Sequence, residues 1–223
     1  MNYSAIRSLG LAITILAISG SCQYDSVQMP NGNYFPMEEN SEWVYQRQLA
    51  LNEADSSIWL TDTLRFKIDG DTLFENKVYK KMVSKKGFTK KIIRVDGSRY
   101  FERKHDRYPG TDDLYFEPFN GYLKENMFLD TDKAVGSSWV SFNDELQKRE
   151  YIIKSKNAKQ TILGKVYQDV IEIEVKYYYQ ELGADKYWLS TKHYYAKDVG
   201  EIYNLYPYPV SGYYSNSSFL LIK

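Results

Sequence analysis

Side chains capable of acid, base, nucleophile or metal-ligand work are few in this sequence of 223 residues, and they are scattered: two histidines and one cysteine. His105 lies in a polar stretch beside Asp106, with Asp112 and Asp113 close by, a set that offers imidazole and carboxylate oxygens to a cation. Arg103, Lys104 and Arg107 in the same stretch repel one, so a solvated loop is the better reading. His193 stands among aromatics in a segment of strand composition, the setting of a hydrogen-bonded strand residue rather than a general base. Asp69-Gly70-Asp71 and Asp130-Thr131-Asp132 lack the spaced acidic series ending in Glu of a calcium loop, and read as turns. No Gly-x-Ser-x-Gly elbow, phosphate-binding glycine loop, His-Glu-x-x-His or Cys-x-x-Cys is present. No metal, no cofactor and no catalytic residue is therefore expected, although a carboxylate pair drawn from the 29 acids would suffice for glycoside hydrolysis.

Aromatic residues are the compositional excess. Eleven of the 22 tyrosines follow residue 176. Such rings join an apolar body to a polar tip, which suits a half-wet sheet face, a partner surface or a platform for sugar rings. The candidate ligand-binding residues are Tyr177, Tyr179, Trp188, Tyr195, Tyr206 and Tyr208, with Tyr206-Pro207-Tyr208-Pro209 read as a rigid exposed loop. The alternative role is cross-strand aromatic pairing that stabilises the sheet.

The single thiol, Cys22, has a different context. Arg7, the apolar run Leu9 to Ile18 and the small residues Ser19, Gly20 and Ser21 form the charged, hydrophobic and cleavage regions of a signal peptide, residues 1–21. The run is too short to span a bilayer, which takes about 20 apolar residues. Ser19-Gly20-Ser21-Cys22 resembles a bacterial lipobox, with serine where leucine is commoner, so Cys22 is the expected lipidation site. Removal of residues 1–21, which carry one basic group and no acid, leaves 202 residues with 28 basic and 29 acidic groups, a net of −1. That balance disfavours nucleic acid as a partner.

The remaining chain must supply the scaffold. Residues 22–33 are rich in turn formers and read as a flexible tether. From Tyr34 to the end the pattern is strands of alternating character: Ile58, Leu60, Leu64, Phe66 and Ile68 share a face that Asp62 interrupts. Turns are expected at Asp69-Gly70-Asp71, Lys85-Lys86-Gly87, Asp96-Gly97 (type I′) and Gly183-Ala184-Asp185. Lys85, Lys86, Lys90 and Lys91 read as the solvent side of a hairpin, and Lys124 to Leu129 as a helical turn. Short connections favour antiparallel neighbours. The fold class is all-β: a single domain over residues 34–223, an antiparallel meander curled into an open or half barrel, with a two-sheet sandwich as the alternative. Trp43-Val44 matches Trp139-Val140, and Lys77-Val78-Tyr79 matches Lys165-Val166-Tyr167. Pseudo-repeats over 34–120 and 121–223 by internal duplication, or recurring hairpin grammar, both account for these matches.

Tyr34-Phe35-Pro36 before Trp43-Val44-Tyr45, Asp69-Gly70-Asp71-Thr72 with Asn76 to Lys81, Phe128-Leu129-Asp130 before Val135 to Trp139, and Tyr194 to Gly200 together resemble the Bacteroidetes-type cell-envelope lipoproteins. The resemblance implies a β-rich fold and a lipid-anchored place in the bacterial envelope, at the outer membrane, and no shared activity. It also implies that Asp25-Ser26-Val27, Asp62-Thr63-Leu64 and Asp71-Thr72-Leu73 match an O-glycosylation pattern of such bacteria. The functional expectation is an envelope lipoprotein, held to the membrane through lipid on Cys22, acting as a non-catalytic binding module for a glycan, lipid or envelope protein. An envelope hydrolase acting on glycan or peptide and a structural assembly component are the alternatives.

Overall fold

A computed structural model describes residues 33–50, 58–84, 89–104, 125–143, 147–210 and 213–222. Among the described residues the elements are strands alone: β1 (Glu42–Ala50), β2 (Ile58–Phe74), β3 (Lys77–Ser84), β4 (Thr89–Asp96), β5 (Arg99–Lys104), β6 (Asn126–Asp130), β7 (Ser138–Asn143), β8 (Gln147–Ile162), β9 (Lys165–Glu181), β10 (Ala184–Ala196), β11 (Gly200–Val210) and β12 (Tyr213–Leu221). They form one antiparallel sheet in the order β6-β5-β4-β3-β2-β1-β12-β11-β10-β9-β8-β7, so the meander, and not the sandwich, is the architecture. The first and last strands are hydrogen-bonded, Tyr45 opposite Leu221. The sheet is thus a barrel nearly closed, with one unsealed seam between β6 and β7.

Local chemistry sets the turns. Glu75-Asn76, Leu163-Gly164 and Leu182-Gly183 each form a two-residue link in which both residues have positive φ, the type I′ signature that matches strand twist. Asp69-Gly70-Asp71 is no turn: Gly70, at φ +73, makes a bulge between Ile68 and Asp71, and β2 runs on to Phe74. The β4–β5 link is Gly97-Ser98, because Asp96 pairs with Arg99; of the two central residues only Gly97 has positive φ, so the expected type I′ turn is not formed. The helical turn expected over Lys124 to Leu129 is replaced by β6, whose residues ladder onto β5. Each matched Lys-Val-Tyr stretch opens the return arm of a type I′ hairpin and buries its tyrosine, but Tyr167 joins the core cluster whereas Tyr79 is bonded to Glu125 and Arg103.

Because successive strands are antiparallel, the β2–β3, β4–β5, β6–β7, β8–β9 and β10–β11 turns gather at one end of the barrel, with the start of β1 and Asn33. A plug closes that Asn33 end. Phe35 packs 5.0 Å from Trp43 and 6.1 Å from Phe128, and the Tyr34 amide donates to the Tyr100 hydroxyl at 2.9 Å. The Asp198 amide donates to the Asn33 carbonyl at 2.6 Å, and the Trp43 indole to the Val199 carbonyl at 2.8 Å, which docks the plug on the β10–β11 turn. Above it lie Ile68, Ile93, Ile153, Ile171, Ile173 and Ile202, all fully buried.

Side chains close the seam in place of a ladder. The Trp139 indole donates to the Met127 carbonyl at 2.9 Å, the Ser141 hydroxyl accepts the Met127 amide, and Lys156 Nζ donates to the Thr131 carbonyl at 2.7 Å. Along β9 the outer wall is polar: Glu172, Glu174 and Lys176 alternate outward, and Lys154 pairs with Glu174 at 3.4 Å.

Candidate functional site

Toward the far end of the barrel, where β9 turns into β10, the interior changes from apolar to polar. Lys91 and Glu102 both face inward, are buried, and pair at 3.2 Å. Lys91 Nζ lies 5.1 Å above the Phe35 ring and 5.5 Å above that of Phe128, so the aromatic floor shares in holding the ammonium. Glu102 accepts from the Asn126 amide at 3.2 Å, and Asn126 meets the Tyr151 hydroxyl at 2.7 Å. Arg47 pairs with Asp62 at 3.3 Å, the acid that interrupts the apolar face of β2. The Arg149 guanidinium sits 5.3 Å from the Tyr177 ring. Charges inside a barrel are costly unless paired and hydrogen-bonded, and Lys91 and Glu102 show that pairing. Lys91 is thereby corrected from solvent to interior: it shares the face of Ile93, two residues on.

His193 joins the same interior. Its Nδ1 lies 2.6 Å from Glu201 Oε1 and its Nε2 2.9 Å from Thr191 Oγ1. A carboxylate only accepts, so Nδ1 carries the proton toward Glu201, and in the neutral ring Nε2 accepts from the threonine hydroxyl. The ring stacks on Tyr195, centroids 6.4 Å apart and planes 9° apart. A bulge at Tyr194/Tyr195 sets Glu201 opposite Tyr195 and brings its carboxylate to the histidine. The Tyr45 hydroxyl donates to the Glu201 carbonyl at 2.9 Å; burial first, then the Glu201 and Tyr167 charges, push the Tyr45 pKa well up. A hydroxyl, an imidazole and a carboxylate in line have the connectivity of a nucleophile relay. Thr191, however, is 0% exposed, so no carbonyl reaches its oxygen, and the line orders the interior.

The candidate aromatics divide. Tyr177 and Tyr195 are buried inside the barrel, whereas Tyr179 and Trp188 are 43% and 39% exposed on the β9–β10 hairpin. Tyr177 and Tyr179 share a face as strand alternation requires, and Tyr178 points outward to donate to Glu150 at 3.0 Å. Tyr187, which the sequence reading did not single out, packs on Tyr178 at 6.0 Å and is 57% exposed. The Tyr206-Pro207-Tyr208-Pro209 stretch is strand, not loop: Tyr206 pairs with Ser217 and Tyr208 with Ser215. The prolines fit because β11 pairs with β10 only as far as Leu205, leaving one edge with no ladder for them to break. Cys22, His105, Asp106, Asp112 and Asp113 lie outside the described residues, as do Lys85 and Lys86.

A second charged cluster sits on the outer face of β3–β5. Glu125 accepts from the Tyr79 hydroxyl and Arg94 Nε, both at 2.5 Å, from Arg94 Nη2 at 2.9 Å and from Lys77 at 3.1 Å. Burial alone would raise its pKa, but the hydrogen bonds from Arg94, Tyr79 and Lys77 outweigh it and hold the carboxyl at about 2. Arg103 is buried beside it, bonded to Glu75 at 2.5 Å and lying over the Phe74 ring at 4.2 Å. Asp130 serves its turn, accepting from the Ser98 hydroxyl at 3.0 Å and the Asp132 amide at 3.2 Å.

No protein-family model matches the chain, and no curated protein does. Among solved structures it is similar to a "putative exported protein with YmcC-like fold" from Bacteroides fragilis NCTC 9343, at 11% identity and a TM-score of 0.44, over 85% of this chain and 97% of that one. It is also similar to a "putative lipoprotein" from Parabacteroides distasonis ATCC 8503, at 10% identity and a TM-score of 0.40, over the same shares of the two chains.

Proposed function

We propose that this protein is an envelope lipoprotein, anchored through lipid on Cys22, whose barrel is a non-catalytic binding module for a polar, ring-bearing ligand such as a glycan. One observation carries the reading: the exposed aromatics Tyr179, Tyr187 and Trp188 all lie on the β9–β10 hairpin, at the end of the barrel opposite Asn33. A chain anchored upstream of Asn33 presents that hairpin away from the membrane. Open aromatic faces beside polar groups, here the Lys148–Asp185 pair at 2.6 Å, supply stacking and hydrogen bonding to a sugar ring. The interior near this end is charged, which favours a polar ligand over a lipid tail.

The test is calorimetric titration of the whole chain with envelope polysaccharide and peptidoglycan fragments. Trp188→Ala and Tyr179→Ala are expected to weaken binding about tenfold or more each, the scale of a lost aromatic anchor. Undiminished binding of every saccharide by both folded variants would remove the hairpin from consideration. Anchoring is checked separately, by loss of fatty-acid labelling in Cys22→Ala.

A further inference from the structure

Exposed apolar side chains are sorted by type between the two ends of the barrel. Among the described residues, all three large exposed aromatics lie on the far hairpin. Six of the eight exposed aliphatics lie at the Asn33 end: Leu73 and Val78 on the β2–β3 hairpin, Val135 in the β6–β7 turn, Leu163 and Val166 on the β8–β9 hairpin, and Ile222 after β12. Single exposed aliphatics are ordinary, but one or more on three of the five turns at one end is a pattern. Leu163 stands at a turn tip, as Leu182 does alone among the exposed aliphatics at the far end. It occupies a positive-φ turn position, φ +50, where Asn, Asp or Gly is easier to accommodate, and is 50% exposed. Exposed lysines, Lys159 and Lys165, flank that hairpin tip.

The chain upstream of Asn33 says what meets this end. Asn33 is fixed to the β10–β11 turn by the 2.6 Å bond from Asp198. Between it and Cys22 there is at most about 40 Å of fully extended chain, at roughly 3.3 to 3.6 Å per residue. Resting on the anchoring role of Cys22 proposed above, we infer that the Asn33 end of the barrel is a bilayer-contact surface. Its aliphatic turn tips, led by Leu73 and Leu163, enter the lipid headgroup region while Lys159 and Lys165 meet phosphate oxygens. Aliphatic residues backed by lysine stems suit that boundary, in which apolar tips are buried and ammonium groups stay wet. The lipid then sets the orientation of the barrel as well as its distance from the membrane.

Site-directed labelling tests it, since Cys22 is the sole native cysteine. Leu73→Cys, Leu163→Cys and, at the opposite end, Leu182→Cys are each introduced into the full acylated chain. Each is labelled with an environment-sensitive fluorophore and reconstituted in phosphatidylethanolamine–phosphatidylglycerol vesicles containing nitroxide-labelled lipid. Quenching by the lipid nitroxide is expected to be severalfold stronger at residues 73 and 163 than at 182, with the order reversed for aqueous iodide. Equal lipid quenching at the three sites, or stronger quenching at 182, overturns the contact surface. Labelling of the chain without an added cysteine would show Cys22 uncapped and overturn the anchoring role alone. The same vesicles are then added to the unanchored chain, and the comparison of 73 and 163 with 182 decides the surface as before.

Discussion

The Trp43 indole nitrogen lies 2.8 Å from the point where a β-carbon on Gly200 would stand, and Pro36 lies 3.6 Å from it. The φ of Gly200 is +105°, a conformation L side chains avoid. Plug, first strand and β10–β11 turn therefore meet at a point with no room for a methyl group. Gly200→Ala is expected to destabilise the barrel by about 3 kcal/mol, strain and overpacking together. Gly136→Ala, at φ +86 with open space around it, should cost only about 1 kcal/mol. Urea midpoints of the two variants give the comparison.

Lys91 and Glu102 are expected to behave as a unit. Lys91→Met leaves a buried carboxylate without its ammonium and should cost about 3 to 5 kcal/mol, whereas Lys91→Met with Glu102→Leu should recover most of the loss. A double-mutant cycle by chemical denaturation measures the coupling. Additive losses would mean that the two side chains do not depend on each other.

Strong acid should weaken the outer cluster. The pKa of Glu125 is held at about 2 in the folded chain against 4.5 as its ordinary value. A depressed carboxyl stabilises the fold above its unfolded pKa, and that contribution fades as pH falls from 4.5 toward 2. It amounts to at most about 3.5 kcal/mol, since each pKa unit is worth about 1.4. Glu125→Gln should be less stable at neutral pH and show a flatter loss across that acid window, read as urea midpoint against pH.

The seam should open first. Ser141→Ala removes the acceptor of the Met127 amide, and Trp139→Phe the donor to the Met127 carbonyl. Each is expected to cost about 1 kcal/mol and to speed amide exchange in β6 and β7 selectively, leaving β1 and β12 unchanged. Uniform acceleration around the barrel would mean that the seam carries no independent opening.

What could be read from the sequence was local. The alternation from Ile58 to Ile68 and the two long arms around residue 183 are matters of side-chain period and turn chemistry, and both appear in the barrel; the turn itself is Leu182-Gly183, not Gly183-Ala184-Asp185, because Ala184 and Asp185 already pair in β10. The β1–β12 pairing joins residues more than 160 apart, and no spacing encodes it. Gly70 shows the limit within one motif, since Asp-Gly-Asp composition suits a turn and a bulge alike, and Glu75-Asn76 took the turn. The inward charges were legible in principle. Lys91 stands two residues before Ile93 and Glu102 two after Tyr100, each on a core face, and reading hydrophobicity instead of parity sends them to solvent. For the candidate site, alternation separated Tyr177 and Tyr179 from Tyr178, but burial of Tyr177 and exposure of Tyr179 depend on how far the strand runs past the packed layer.

The junction of the chain's two ends has a mechanical meaning. β1 follows closely on Asn33 and is hydrogen-bonded along its length to β2 on one side and, from Tyr45 onward, to β12 on the other. A pull applied upstream of Asn33 loads those two ladders in shear, many bonds at once, and does not peel them singly. The seam lies six strands away around the barrel in either direction, outside the line of force. Closing the barrel where β1 meets β12 and leaving the β6–β7 seam unsealed puts a shear-loaded junction beside the plug and the unladdered one across the barrel from it.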